Sequence, residues 1–188
     1  KVEYIINAGK FFPGIKIHRL TINYRSRKEI VSLADRFIKL NRFRTSKKIR
    51  SKKGSGGKVL IHNAKDMHHE SEIINQILKT TKNSASLAIL YRNNYQGEYI
   101  KKTIHQGSNT LNLQLMTMHG SKGLEFQTVI IAGICDQIIP DKTSDIEEER
   151  RLFYVAMTRA EEELHLIYYK NSDGSMPKFM QETRFNEK

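Results

Sequence analysis

The sequence predicts an α/β domain built on a mostly parallel, doubly wound sheet. Stretches with strand character alternate with amphipathic helical stretches along the chain, which is the pattern of that fold class. Residues 86–91 read SLAILY, a continuous apolar run typical of a parallel strand covered on both faces. The 188 residues suffice for one domain with a sizeable core, and we expect a single domain over residues 1–188.

The individual elements follow from local patterns. Ser26 and Glu29 have the spacing of a capping box, followed by a helical stripe of Ile30, Leu33, Ala34, Phe37 and Ile38. A basic loop is predicted over about 41–57, and a polar tail after the last strand. The remaining predicted strands are 16–20, 58–62, 86–91, 112–118, 127–134 and 163–169, and the remaining predicted helices are 66–80, 95–105 and 145–160. Ligands of such sheets sit at the carboxyl ends of strands, so we expect a binding edge there.

The charge balance points to a polyanionic partner. The net charge is +12 and the pI is about 9.8. Between Arg36 and Lys58 the chain carries ten Lys or Arg and no acid, which fits either an electrostatic track for DNA or a solvated loop. A lone Cys135 excludes a disulfide framework and a cysteine-based metal site. With no apolar run of membrane-spanning length, a cytoplasmic location without membrane contact is expected.

Four blocks carry the most specific signal. They are LTINYRS at 20–26, LYRNN at 90–94, LMTMHGSKGLEF at 115–126 and EEERRLFYVAMTRAEEELH at 147–165. In this order they resemble motifs IV, IVa, V and VI of the UvrD/Rep/PcrA family of superfamily 1 DNA helicases. The resemblance extends from about Lys16 to Leu166. It implies a second, C-terminal RecA-like domain, which is a three-layer fold related to the P-loop NTPases but lacking the P-loop.

The resemblance implies a nucleotide site. Tyr24 would stack on the adenine, Arg25 would reach the γ-phosphate, and Glu125 would accept a hydrogen bond from the ribose. Gly123 would allow close backbone approach, and Arg159 would act as an arginine finger. Simpler structural alternatives exist: Tyr24 packing under the following helix, Arg25 as a surface charge, and Arg159 as a cation in the last turn of a helix.

The same resemblance implies contacts to single-stranded DNA by Arg92, Asn94, Thr117 and His119. Asn94 could also cap the helix that follows it. Arg150 and Arg151 are expected to be structural, with one pairing with an acidic residue across a domain interface.

No phosphate-binding loop of the form G-x-x-x-x-G-K-[ST] is present, and no metal site is expected. ATP would therefore be shared with an absent N-terminal RecA-like domain, which would also hold Mg²⁺. The family's inserted subdomain would be missing at about 105–112. The predicted function is the C-terminal motor domain of an ATP-dependent 3′–5′ DNA helicase, and this chain alone is not expected to hydrolyse ATP. The alternative is a stand-alone, non-catalytic module that binds nucleic acid or docks a protein.

Overall fold

The computed structural model describes residues 2–81, 85–104 and 112–184. Seven helices and seven strands are assigned within those ranges. The helices are α1 (Val2–Ile6), α2 (Ala8–Phe11), α3 (Lys28–Ile38), α4 (Met67–Thr80), α5 (Asn94–Thr103), α6 (Ile146–Met157) and α7 (Lys178–Arg184). The strands are β1 (Ile22–Asn23), β2 (Arg50–Ser51), β3 (Lys58–Ala64), β4 (Leu87–Tyr91), β5 (Leu113–Thr117), β6 (Phe126–Ile134) and β7 (Ala160–Tyr169).

Five of the strands form one sheet in the order β3-β7-β6-β4-β5. Every neighbouring pair in this sheet is parallel. The middle of the sheet is buried, as the apolar run at 86–91 predicted, with Leu87–Leu90 at most 2% exposed. The predicted α/β fold with a parallel sheet is therefore confirmed.

Helices cover both faces of this sheet. On one face, α3, α6 and α7 enclose a core in which Phe37, Phe153 and Phe179 lie 5.1–5.5 Å apart, measured between ring centroids. On the other face, α4 and α5 contribute Ile73, Ile74, Ile77 and Ile100 to a second core. The result is the three-layer arrangement that the alternation of elements predicted.

The start of α3 differs from the prediction. Ser26 and Glu29 do not form a capping box, because the Ser26 hydroxyl donates to the carbonyl of Ala160 at 2.6 Å. The Glu29 carboxylate instead accepts from the backbone N–H groups of Gly56 and Gly57. These side chains therefore connect α3 to distant parts of the chain rather than cap it.

The predicted strand at 16–20 is wrong. The short strand lies at β1, and it pairs in parallel with β2, inside the predicted basic loop 41–57. Nothing in the composition of that loop indicates strand pairing. The helix α7 lies in the region predicted as a polar tail, so the prediction there is wrong as well.

Most of the predicted position of the missing subdomain, residues 105–111, lies outside the described residues. In the described part of the chain, no helix combines the length and hydrophobicity that crossing a membrane would require.

Candidate functional site

Three of the expected nucleotide residues converge at the amino ends of β6 and β7. The Nε of Arg25 donates to Oε2 of Glu125 at 2.7 Å, and its Nη1 donates to the Thr158 carbonyl at 3.4 Å. Glu125 immediately precedes β6, and Arg159 immediately precedes β7. The expectation of a binding edge at the carboxyl ends of the strands is therefore wrong for this group.

The backbone turn that presents Tyr24 and Arg25 is built by neighbouring side chains. Oδ1 of Asn23 accepts from the N–H groups of Arg25 and Ser26 at 2.9 and 2.8 Å. The Ser51 hydroxyl donates to the Ser26 carbonyl at 2.7 Å, which joins the turn to β2. The Tyr24 side chain is 68% exposed, so it does not pack under α3 and its ring is free for stacking.

Arg159 lies beyond α6 rather than in its last turn. The helix ends at Met157 and Thr158 is its C-cap, so the helix predicted over 145–160 is shorter than expected. The guanidinium of Arg159 is held by two backbone carbonyls, with Nε donating to Val155 and Nη1 donating to Leu124, both at 3.0 Å. This anchoring fixes the side chain beside the loop that carries Glu125.

The electrostatics of this cluster suit an anionic ligand. The cluster holds two guanidinium groups and one carboxylate: Arg25 pairs with Glu125, whereas Arg159 has no acidic hydrogen-bond partner among the described contacts. The hydrogen bond and charge of Arg25 hold the pKa of Glu125 below its ordinary value. Burial, followed by the charge of Arg25, lowers the pKa of Arg159. A phosphate group with its negative charge would relieve that repulsion, so the residues present fit a nucleotide triphosphate end.

The loop from Met118 to Glu125 has one position that favours glycine. Gly123 has a φ of +91°, in the left-handed region, and no atom within 4 Å of the position where a Cβ would be built. The open space beside this backbone leaves room for close approach of a ligand.

The expected DNA-contacting residues lie at the opposite end of the sheet. Thr117 is the last residue of β5, and its Oγ1 accepts from the Gly120 N–H at 3.1 Å. His119 and Asn94 are exposed, and the N-cap of α5 is Asn93 rather than Asn94. The Gln96 side chain accepts from the Asn93 N–H at 3.0 Å.

Arg92, which follows β4, is occupied by acidic partners. Its Nη2 lies 3.0 Å from Oε1 of Glu149 and 3.5 Å from Oδ2 of Asp141. Its Nε donates to the other Glu149 oxygen at 3.3 Å. The Glu149 side chain is only 5% exposed, so this is a largely buried ion pair. Sequence reasoning missed Glu149, because nothing distinguishes it from the two glutamates before it.

Arg150 and Arg151 are structural, as expected, but their partners lie within this chain. Arg150 forms two hydrogen bonds with Glu182 of α7, at 2.7 and 2.9 Å. Arg151 contacts Glu147 one turn earlier at 3.1 Å and the carbonyl of Phe43 at 2.9 Å. These contacts dock α7 and the loop after α3 onto α6.

Comparison with known proteins agrees with this architecture. The family model of the UvrD-like helicase C-terminal domain matches in two segments, residues 18–109 and 103–171. A crystal structure of the C-terminal domain of a possible DNA helicase from Lactobacillus plantarum has a TM-score of 0.60 at 20% identity. It covers 87% of this chain and 95% of that one, and supports the fold.

Curated relatives match over shorter stretches. The ATP-dependent DNA helicase Rep of Buchnera aphidicola (from Acyrthosiphon pisum) is 47% identical over 78 residues, or 39% of this chain and 12% of its own. The ATP-dependent DNA helicase PcrA of Bacillus subtilis is 48% identical over 63 residues, or 31% and 8%. A probable DNA helicase of Mycoplasma pneumoniae is 27% identical over 181 residues, or 83% and 32%. The chain thus spans a third or less of these relatives, and by the match to the family model it belongs to the UvrD-like helicase C-terminal domain family.

Proposed function

We propose that this chain is the second motor domain of an ATP-dependent DNA helicase and completes an ATP site shared with an N-terminal motor domain. The observation that carries the proposal is the convergence of Arg25, Glu125 and Arg159 in a sequence without a phosphate-binding loop. A cluster of two arginines and a carboxylate around an open surface is suited to a nucleotide whose phosphates are cradled elsewhere.

In this proposal each residue has a separate task. The exposed ring of Tyr24 stacks on the base, and Glu125 accepts hydrogen bonds from the ribose hydroxyls. Arg25 and Arg159 bind the γ-phosphate, and Arg159 stabilises the charge that develops as the phosphoryl group is transferred. Without nucleotide, Arg25 and Glu125 form an ion pair at 2.7 Å. Binding of ATP would replace this pair with a contact from Arg25 to the γ-phosphate and a contact from Glu125 to the ribose. Mg²⁺ belongs to the partner domain's side of the site.

DNA would bind at the other end of the sheet. Thr117, His119 and Asn94 would contact the backbone of single-stranded DNA. Arg92 would join them only after leaving Glu149. We further propose that the helicase translocates 3′ to 5′ along the DNA, and this direction rests on the family resemblance alone. The two ends of the domain would then couple ATP-driven closure to the grip on the strand.

The arginine finger is tested by Arg159→Ala in a full-length protein containing this domain. We expect DNA-stimulated ATP hydrolysis to fall by a factor on the order of 10³–10⁵, because Arg25 would remain on the γ-phosphate but the charge that develops in the transition state would lose its finger. Binding of a fluorescent ATP analogue should change little by comparison. Lys79→Ala, at an exposed position of α4 outside the basic run, is the control and should retain turnover. Unchanged turnover in Arg159→Ala would refute the assignment.

The alternative of a stand-alone binding module is tested by complementation. The chain should not hydrolyse ATP alone, and turnover should appear when the phosphate-loop half is supplied in trans. Absence of turnover in both cases, with salt-dependent binding of single strands retained, would favour the module.

A further inference from the structure

A β-bulge lies directly after Arg159. Phe126 of β6 pairs with Ala160 of β7, but the next pair is Thr128 with Glu163. Two residues of β7, Glu161 and Glu162, therefore oppose the single residue Gln127. In a regular strand, adjacent side chains point to opposite faces, whereas a bulge re-aims them.

The bulge allows two adjacent carboxylates to reach the same ammonium group. Nζ of Lys53 lies 2.6 Å from Oε2 of Glu161 and 3.3 Å from Oε1 of Glu162. Lys53 comes from the basic segment that follows β2, so this contact fastens that segment to the start of β7. The desolvation of Lys53 is outweighed by these two carboxylates, and its pKa is raised.

Arg27 closes the contacts into a ring. Its Nε donates to the free oxygen of Glu162 at 2.7 Å, and its Nη1 donates to the Lys53 carbonyl at 3.0 Å. Its backbone N–H donates to the Glu161 carbonyl at 2.9 Å. We call Arg27, Lys53, Glu161 and Glu162 the acidic-bulge ring.

The ring spans the two segments that carry the proposed catalytic arginines. Arg27 is two residues after Arg25, and Glu161 is two residues after Arg159. We infer that the acidic-bulge ring is a positioning device that sets Arg25 and Tyr24 relative to Arg159, and this inference rests on the proposed nucleotide site.

Two features separate this role from direct ligand binding and from simple stabilisation. The ammonium group of Lys53 is already shared by two carboxylates, which leaves it poorly placed to take a phosphate. The four side chains are 24–34% exposed, and partly exposed ion pairs contribute little to stability. Opening the ring should therefore affect the geometry of the site more than the stability of the fold.

The experiment is steady-state ATP hydrolysis by the full-length helicase with Lys53→Met or Glu162→Gln. We expect kcat to fall between about tenfold and a hundredfold, since a misplacement of about 1 Å in a catalytic group can have that effect. The KM for ATP should change by a smaller factor than kcat, because Tyr24 and Arg25 bind ATP already in the ground state whereas the finger acts only in the transition state. Lys53→Arg, which keeps the charge, should recover most of the lost kcat.

Lys58→Met is the matched control. Lys58 of β3 pairs with Glu163 of β7, the strand that carries Glu161 and Glu162, at 2.7 Å, and in the described contacts it does not touch the segment that carries Arg25. It should lower kcat by less than about twofold, as expected of a surface pair distant from the chemistry. Thermal unfolding of each variant identifies any loss that comes from the fold.

The double variant Lys53→Met with Glu162→Gln sharpens the test. Once one member is removed the ring is open, so the second change should add little, and the effects should be far from additive. Single variants that match Lys58→Met, or additive losses in the double variant, would overturn the ring's role while leaving the shared ATP site intact. A full-length wild-type protein without ATP hydrolysis would overturn both proposals.

Discussion

We expect Glu149→Ala to lower the free energy of unfolding of this domain strongly, mainly because it breaks the buried ion pair between Arg92 and Glu149. Glu149→Ala removes both hydrogen bonds to the Arg92 guanidinium and the one its carboxylate accepts from the Asp141 N–H at 3.2 Å. Removing one member of a buried pair costs about 3–5 kcal/mol, because the remaining charge stays desolvated. Asp141 remains as a partner at 3.5 Å and is 32% exposed, so we expect the lower end, about 3 kcal/mol.

Urea unfolding of the 188-residue chain measures this loss. With an m-value of about 2 kcal/mol/M, a loss of about 3 kcal/mol lowers the unfolding midpoint by about 1.5 M. Lys39→Ala is the control: it removes a surface pair with Asp35 one helical turn away and should change the stability by about 0.5 kcal/mol or less. A free energy of unfolding for Glu149→Ala within about 1 kcal/mol of the wild-type value would refute the view that breaking this pair leaves a desolvated charge.

The same variant informs the proposed DNA contact of Arg92. Freed from Glu149, the guanidinium could reach a phosphate, so the affinity of the full-length protein for single-stranded DNA should rise rather than fall. The slope of log affinity against log salt should steepen by about 0.7, the value for one added phosphate contact. An unchanged slope would indicate that Arg92 acts only within the fold.

Two further predictions concern stability. Burial and neighbouring His62, 3.0 Å away, lower the pKa of His165 to about 4, so the unfolded chain binds the extra proton first as the pH falls. The free energy of unfolding should drop by about 2 kcal/mol between pH 7 and 5, and less in His165→Gln; equal pH profiles would contradict this. In α5, Gly97→Ala should destabilise by about 1–3 kcal/mol despite better helix propensity, since its Cβ would lie 2.2 Å from the Tyr91 ring. Urea unfolding checks it, and a stabilised variant would refute the clash.

The sequence was a reliable guide where hydrophobic period and burial agree. The strands β4 and β6 and the helix α4 were predicted within about two residues, because their apolar patterns are long and uninterrupted. The short pair β1–β2 could not be predicted in the same way. The strand β2 consists only of Arg50 and Ser51, which are too few to show an alternating pattern. Its pairing with β1 depends on distant contacts, such as the hydrogen bond from Ser51 to Ser26, 25 residues away in sequence.

For the candidate site, the sequence indicated residue types better than their arrangement. The motif resemblance singled out Arg25, Glu125 and Arg159 together, and the structure places them side by side. For these nucleotide residues the end of the sheet was predicted wrongly, because residues that follow one strand in sequence can equally lie at the start of the next strand. The partners of Arg92 and the ring at Glu161 were missed, since each depends on contacts between distant segments, such as Arg92 with Glu149 and Lys53 with Glu161.

The eight residues between β5 and β6 run along the whole length of β4, about 16 Å at 3.3 Å per residue. This segment is folded into hydrogen-bonded turns: Met118 and Ser121 are buried, and the N–H groups of Ser121, Lys122 and Leu124 all donate to carbonyls three or four residues earlier. On the proposed assignments, one end follows the DNA contact Thr117 and the other end carries the ribose contact Glu125. The segment would then be a compact physical link between the two contacts. A displacement of the bound DNA by a fraction of one nucleotide step would then be transmitted to the ATP site without deformation of the β-sheet.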